Sequence, residues 1–298
     1  MLAVVGPTAG GKSELSLRLA DRFDAEILSV DSMQVYRGMD VGTAKPSWEE
    51  RQQVPHHMLD LVEPEEEYSV ATFQRRGRAV IEAVHARGRN VLVVGGSGLH
   101  FRALLDPLEF PGHDPTVRQT VEALEPDVAR AELLAADPGA GDHVDLENPR
   151  RVARALEVVR IGGGTPSERA GSPAAVAVRE YRPLIPFTGV VIDPGDGLGT
   201  RARRRIDKML KRGLVAEVER LAPRLGRTAS QAVGYKELLP VVEGRLPLSA
   251  GAADVLTATL ALARRQRTFF GRDPRLHPIP WVSVVDQRLA AVEEAFGA

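Results

Sequence analysis

The stretch GPTAGGKS at positions 6–13 constrains this chain more than any other. It matches the G-x-x-x-x-G-K-[ST] pattern of a phosphate-binding loop at every defined position. Residues 2–5 form an apolar run typical of a buried strand, and residues 13–23 carry Leu15, Leu19 and Phe23 at helical spacing. A strand, a glycine-rich loop and a helix in this order predict an α/β fold of the P-loop NTPase-like kind, with a parallel sheet flanked by helices.

The residue types of the loop explain why it binds phosphate. At a helix N-terminus, unpaired backbone N–H groups and the helix dipole both favour negative charge. Lys12 adds a mobile cation, and the hydroxyl of Ser13 is suited to bind Mg²⁺. The sequence therefore predicts a phosphate site that consists of Gly6, Pro7, Thr8, Ala9, Gly10, Gly11, Lys12 and Ser13. The loop alone does not identify the phosphate compound.

Composition narrows the class of protein. A chain of 298 residues with 43% hydrophobic content is long enough to bury a substantial core. No apolar run approaches the roughly 20 residues that cross a bilayer, and the N-terminus starts in a predicted strand without a basic leader. We therefore expect a cytoplasmic protein without membrane contacts. The absence of cysteine excludes disulfides, thiolate zinc sites and a cysteine nucleophile, so a metal must be held by oxygen or histidine.

Arginines are clustered, although the formal net charge is only −1. A charge cluster is commonly a solvated helix face, and the overall charge does not indicate a nucleic-acid partner. Three arginine-rich clusters in a nearly neutral protein nevertheless favour a local anionic partner. The clusters are Arg150, Arg151 and Arg154; Arg201, Arg203, Arg204 and Arg205; and Arg264, Arg265 and Arg267.

Two further predicted strands place functional groups beside the loop. Residues 27–30 run into Asp31, and residues 91–94 run into the turn Gly95-Gly96-Ser97-Gly98. Ligands of open parallel sheets bind beyond the carboxyl ends of the strands, so both segments should face the crevice of the P-loop. Asp31 is suited there to hold Mg²⁺ or to accept a proton, and the alternative is a helix N-cap.

The middle of the chain differs from the rest in its sequence pattern. Pro107, Pro111 and Pro115 mark a boundary before a mostly helical segment. We expect a core domain that comprises residues 1–112 and 173–298, and a small helical insertion at 113–172. A long helix is expected at 252–270, and its end, RRQRTFF, places arginines beside aromatics as phosphate and base contacts require.

Seven stretches together resemble the tRNA dimethylallyltransferases, over nearly the whole chain. They are GPTAGGKS from Gly6, DSMQVYRGMDVGTAKP from Asp31, PHHMLDL from Pro55, VVGGSGL from Val93, NPRRVARALEV from Asn148, QAVGYKE from Gln231 and LARRQRTFF from Leu262. The resemblance implies transfer of a dimethylallyl group from dimethylallyl diphosphate to N6 of adenine 37, beside the anticodon. It also implies Mg²⁺ as cofactor, diphosphate as product and the tRNA anticodon stem-loop as partner; we expect a monomer.

The resemblance also implies roles for individual residues. Asp31 matches the general base, Thr8 a residue that orients the donor or the amine, and Arg205, with Arg201, a ligand of the diphosphate. Contacts with tRNA are assigned to Asp31, Ser32, Met33, Gln34, Ser97, Arg118, Gln119, Arg150, Arg151, Arg154, Gln231, Gly234, Tyr235, Lys236, Arg264, Arg265, Gln266, Arg267 and Thr268. The insertion at 113–172 is expected to contact tRNA.

Three positions depart from the family pattern, and three rival functions remain open. His100 and Phe269 stand where the family often has tyrosine and tryptophan, and Leu260 replaces an arginine, which removes one expected tRNA contact. The same loop, strand and acid would also suit a P-loop small-molecule kinase that uses ATP. A second rival is an isopentenyltransferase that acts on free adenylate, and a third is a non-catalytic P-loop switch that binds RNA.

Overall fold

The structure, a computed structural model, describes residues 1–297. The chain forms two compact units. The first contains Met1–Leu105 and continues from Ile185 onward, and the second is Asp106–Leu184. Within residues 1–297, no helix combines the length and the hydropathy that crossing a bilayer requires.

A six-stranded parallel sheet forms the centre of the first unit. Its strands are β1 Leu2–Val5, β2 Ala25–Val30, β3 His56–His57, β4 Asn90–Gly95, β5 Thr188–Asp193 and β6 Leu276–Pro280. Their order across the sheet is β3-β2-β4-β1-β5-β6. β1 lies between β4 and β5, so the loop after β1 emerges at the middle of the sheet edge. The predicted parallel α/β sheet is confirmed.

Helices cover both faces of this sheet. They are α1 Lys12–Arg22, α2 Trp48–Gln53, α3 Val70–Ala86 and α4 Gly98–Leu105 before the second unit. The first unit continues after the second with α10 Leu198–Lys211, α11 Leu214–Leu221, α12 Tyr235–Val242, α13 Leu248–Phe270 and α14 Val285–Phe296. The second unit has its own helices, α5 Pro115–Glu122, α6 Pro126–Ala136, α7 Pro149–Arg160, α8 Pro166–Ala170 and α9 Pro173–Arg179.

Alternation along the strands divides the core between the two faces. Successive side chains of a strand point to opposite faces of its sheet. Accordingly, Val5 and Val93 pack in one cluster with Phe73 and Phe101. Their neighbours Val4 and Leu92 pack in the other cluster, with Leu15 and Leu19 of α1 and Val292 of α14. Both faces are therefore buried, as a parallel sheet requires.

The second unit is helical and has its own small core. Val121, Leu133, Val152 and Leu156 bring α5, α6 and α7 together. Pro126 starts α6 and thereby divides the apolar pattern of residues 116–134 into two helices, since proline lacks a backbone N–H but fits the first helical turn. The predicted insertion, residues 113–172, lies within this unit.

Candidate functional site

The loop between β1 and α1 is a tight phosphate-binding turn. Gly6 and Gly11 have φ angles of 142° and 81°, which favour glycine. A Cβ at Gly6 would lie 2.3 Å from the carbonyl oxygen of Ile192, so no larger residue fits between β1 and β5. The amide of Gly10 donates to the carbonyl of Pro7 at 3.1 Å and closes the turn. α1 then starts at Lys12, with Gly11 as N-cap.

Lys12 lies inside this turn. Its Nζ donates to the carbonyl oxygens of Gly6 and Pro7 at 2.9 and 2.8 Å. Burial, together with the positive charge of Arg205, lowers the pKa of Lys12 from 10.5 to about 7, against an opposing effect of Asp31. The lysine is therefore close to its titration point at neutral pH, and an anion placed beside it would favour the charged form.

Asp31 directly follows β2 and is held by its own turn. Its Oδ1 accepts hydrogen bonds from the amides of Met33 and Gln34 at 2.8 and 3.3 Å. Oδ2 makes no hydrogen bond among residues 1–297. The carboxylate is thus fixed by one oxygen, and the other is available to a ligand.

Two arginines of α10 approach the P-loop. The Nε of Arg201 donates to the carbonyl of Ala9 at 2.7 Å. Burial lowers the pKa of Arg205, and the nearby negative charge of Asp31 opposes this effect. Both residues line the same cavity as the P-loop. The spacing of four residues places them on one helix face, as the sequence predicts.

Two cavities of the first unit meet at Asp31. The larger, about 610 Å³, is lined by residues 8–14, Lys45 and a basic stripe of α10. The smaller, about 300 Å³, has apolar walls from Ile206, Val255 and Phe269. Both are lined by Thr8, Asp31, Thr43, Gly96, Arg205, Met209 and Gln266. A cationic site that includes the P-loop and a partly apolar site therefore share one carboxylate, that of Asp31.

Several residues predicted to contact tRNA lie together at the smaller cavity. They are Asp31, Ser32, Met33, Ser97, Gly234, Arg265 and Gln266, while Gln34 lines the larger one. Gln266 also accepts a hydrogen bond from the amide of Thr8 at 2.8 Å, which joins α13 to the P-loop. Ser97 pairs its Oγ with Nδ1 of His100 at 2.7 Å. Burial lowers the pKa of His100 to about 4, so this ring is neutral at physiological pH.

Other predicted tRNA residues lie elsewhere in the first unit. Arg264, Thr268, Gln231 and Lys236 are exposed. Arg267 forms an ion pair with Asp193 at 2.6 Å and also donates to the carbonyl of Gly195.

The remaining predicted tRNA residues belong to the second unit. Gln119, Arg150 and Arg151 are exposed. Arg118 and Arg154 instead pair with the carboxylate of Glu157, which is fully buried, at 3.3 and 2.8 Å. Burial by itself raises the pKa of Glu157, but hydrogen bonds from Arg154, His113 and Arg118 outweigh it and lower the value to about 2.

Sequence reasoning missed the carboxylate of Glu217, which fixes a loop beside the site. It accepts the amides of Asp40, Val41 and Gly42 at 2.8–3.0 Å. It also accepts the hydroxyl of the buried Tyr235 at 2.5 Å. The loop continues into Thr43, which lines both cavities. No local sequence pattern predicts this role of Glu217, because the three amides that it accepts are about 175 residues away.

Comparisons with known proteins show the family of this chain. The sequence model of the IPP transferase family matches residues 34–273. A tRNA dimethylallyltransferase of Bifidobacterium animalis subsp. lactis is 42% identical, over 99% of this chain and 87% of its own. The crystal structure of a tRNA isopentenylpyrophosphate transferase from Staphylococcus epidermidis is 30% identical, with a TM-score of 0.72, over 99% of this chain and 98% of that one.

A third likeness concerns a eukaryotic protein, described as a dimethylallyltransferase acting on tRNA. It is 26% identical, with a TM-score of 0.83, and the match covers 99% of this chain and 79% of that chain. The matches with these proteins include the P-loop, which precedes the part matched by the family model. The chain belongs to the IPP transferase family, that of the tRNA dimethylallyltransferases.

Proposed function

We propose that this protein transfers a dimethylallyl group from dimethylallyl diphosphate to N6 of the adenine at position 37 of tRNA, and releases diphosphate. The observation that carries the proposal is the position of Asp31, whose carboxylate lies where the cationic cavity and the partly apolar cavity meet. A donor held in the first cavity and a base held in the second would both reach this group. Membership in the family supports the same reaction.

The donor's diphosphate belongs in the P-loop. Cleavage of an allylic C–O bond leaves negative charge on the departing diphosphate, so fixed donors placed there stabilise the transition state. The backbone amides of the loop, Lys12, Arg201 and Arg205 supply such donors. Thr8 lines both cavities and is assigned to orient the donor or the amine.

Asp31 is assigned as the general base. The exocyclic amine of adenine is a poor nucleophile, and a carboxylate is a weak base. Proton transfer therefore accompanies formation of the N–C bond, when the nitrogen becomes acidic. The two amide hydrogen bonds to Oδ1 orient the carboxylate before the substrate arrives.

The oxygen-rich site fits Mg²⁺ bound together with diphosphate. Among residues 1–297, no group of three or more histidine or acidic side chains is suited to hold a metal alone. Mg²⁺ usually keeps several waters and binds one or two protein oxygens plus substrate phosphates. The hydroxyl of Ser13 is the protein oxygen proposed to hold it, together with oxygens of the diphosphate. When bound, the ion would neutralise charge on the diphosphate.

The acceptor is proposed to be the anticodon stem-loop. An adenine stacked in a loop must leave the stack to meet an enclosed donor, at a cost of a few kcal/mol. The smaller cavity, with Phe269 and Met33 in its walls, is the proposed site of the flipped base. Exposed arginines of α13 and of the helical unit, including Arg264, Arg150 and Arg151, are proposed to contact the phosphate backbone. We further propose that the protein acts as a monomer in the cytoplasm.

A transfer assay tests the proposal. The full chain is incubated with labelled dimethylallyl diphosphate, Mg²⁺ and unmodified tRNA, and the label on RNA is measured. We expect label on tRNA that has adenine at position 37, and none on the same tRNA with guanine there. γ-Labelled ATP in place of the prenyl donor should transfer nothing. Transfer of phosphate, or prenylation of free AMP in preference to tRNA, would contradict the proposal and favour the kinase or the adenylate enzyme.

A further inference from the structure

The C-terminal segment packs directly against the P-loop. β6 and α14 lie entirely beyond the part of the chain that the family model matches, residues 34–273. Between them, Trp281 reaches Gly11. A Cβ at Gly11 would lie 3.0 Å from Cζ3 and Cη2 of the Trp281 ring, and 3.1 Å from Nη2 of Arg201. The indole and the guanidinium therefore both touch the last residue before α1.

Trp281 also supports the guanidinium of Arg201. The guanidinium carbon lies 3.7 Å from the ring centroid, well within the range of a cation–π contact. On the same side chain, Nε donates to the carbonyl of Ala9 at 2.7 Å. One arginine is thus fixed by the indole and by the P-loop backbone, and it lines the larger cavity.

A second arginine holds the indole. Arg288 of α14 is 1% exposed, and its guanidinium carbon lies 3.8 Å from the centroid of the Trp281 ring. It donates to the carbonyl of Val282 at 2.9 Å and forms an ion pair with Glu14 of α1, also at 2.9 Å. A buried arginine with two such anchors cannot move without losing both, so the ring has a fixed support.

Fixing Arg201 in this way matters for an anion in the loop. A free arginine side chain loses rotamer entropy when it binds a ligand, and prior fixation removes part of this cost. Arg201 has no acidic partner within hydrogen-bond distance among residues 1–297. Its guanidinium therefore stays available for a bound phosphate.

We propose that Trp281, supported by Arg288, is a positioning residue for the donor: it holds the Arg201 guanidinium at the P-loop, where the diphosphate of the allylic donor binds. The inference rests on the proposed function and extends the donor site to a segment that the family model does not cover. Trp281 does not act on the reacting atoms. Its effect is expected on donor binding rather than on proton transfer.

Two substitutions of similar bulk separate this role from simple packing. Trp281→Phe keeps an aromatic face, whereas Trp281→Leu removes it. We expect Trp281→Leu to raise KM for dimethylallyl diphosphate and to lower kcat/KM about tenfold, the order of a desolvated cation–π contact, with tRNA affinity nearly unchanged. Trp281→Phe should retain most of the donor affinity. The matched control is Trp48→Leu, a tryptophan that is 71% exposed on α2, and it should change neither constant.

A double-mutant cycle with Arg201→Gln completes the test. If Trp281 acts through Arg201, Trp281→Leu should add almost nothing to the KM of the Arg201→Gln variant. Equal donor KM values for the leucine and phenylalanine variants, or multiplicative effects in the cycle, would overturn the inference. Binding of inorganic diphosphate to each variant, measured by calorimetry, gives the same comparison without turnover. If the wild type itself neither binds diphosphate nor prenylates tRNA, the proposed function fails instead.

Discussion

At the residue scale, Lys12 illustrates how the P-loop sets the charge of its own lysine. Burial and the neighbouring Arg205 lower its pKa to about 7, although an exposed lysine titrates near 10.5. Above pH 7 the free enzyme thus carries a largely neutral lysine at this position. Binding of an anion reverses the balance, because negative charge favours the protonated amine.

The first prediction follows from the rise in the pKa of Lys12 that a bound anion should cause. At pH 8, binding of diphosphate to the wild type should take up about one proton more than binding to a Lys12→Met variant. Calorimetry in two buffers of different ionisation enthalpy measures the uptake, and protonation of diphosphate itself is common to both proteins. Identical proton uptake by the two proteins would show that Lys12 does not face the anion.

At the scale of elements, the loop 40–42 depends on Glu217 of α11. One carboxylate collects three backbone amides and a tyrosine hydroxyl. Removing this acceptor leaves the buried hydroxyl of Tyr235 unsatisfied, at a cost of about 1–3 kcal/mol, and leaves the three partly buried amides without their shared partner. Loss of the carboxylate should therefore destabilise the loop rather than the whole fold, because the three amides belong to one short segment.

The second prediction concerns this loop. Glu217→Ala should speed amide hydrogen exchange at Asp40, Val41 and Gly42, and should lower the rate of transfer because the adjacent Thr43 lines both cavities. Tyr235→Phe removes one hydrogen bond without removing the acceptor, so its effect should be much smaller. Unchanged exchange at the three amides in Glu217→Ala would contradict the assignment.

The third prediction concerns the end of α13. Arg264 and Arg265 are exposed, whereas Arg267 is paired with Asp193. Reversing the charge of the first two should weaken tRNA binding and flatten its salt dependence by about one to two units of slope. Lys12→Ala should do the opposite, with weaker donor binding and nearly unchanged tRNA affinity. If the two sets of variants behave alike, the separation of donor site and RNA surface is wrong.

The sequence predicts elements that carry a local signal. Apolar runs indicate β1, β2 and β4, and the P-loop motif fixes the start of α1 to within one residue. β6 escapes prediction because Pro278 and Pro280 interrupt its pattern, which an edge strand tolerates. The same holds for the residues of the site. Asp31 can be predicted because it follows a recognisable strand. Glu217 and Trp281 cannot, because the fold brings their partners from distant parts of the chain.

At the scale of the whole molecule, the stability of the second unit depends on Glu157. Its fully buried carboxylate pairs with Arg118, Arg154 and His113. The folded-state pKa, about 2, lies below the ordinary value of 4.5, so the unfolded unit binds more protons between these values. The stabilisation is therefore fully present above pH 4.5 and is lost as the pH falls through about 2.

The fourth prediction concerns the buried carboxylate of Glu157. Glu157→Gln should destabilise the unit 106–184 by about 3 kcal/mol, the order of breaking a buried ion pair, because Arg154 loses its carboxylate partner while Arg118 keeps only Glu122. Hydrogen exchange should increase within 106–184 and not in the sheet. Glu132→Gln, which removes a partly exposed partner of Arg160, should change exchange little. Equal effects of the two substitutions would contradict the role of Glu157.

The central claim is that a donor in the P-loop and an adenine in the neighbouring cavity meet at Asp31, which takes the proton of the amine. Asp31→Asn tests it most directly, because the amide oxygen can still accept the hydrogen bonds of Met33 and Gln34. The measurement is the single-turnover rate of prenyl transfer at saturating donor and tRNA. We predict a rate lower by about 10²–10⁴, with tRNA affinity preserved. A rate equal to that of the wild type would contradict the claim.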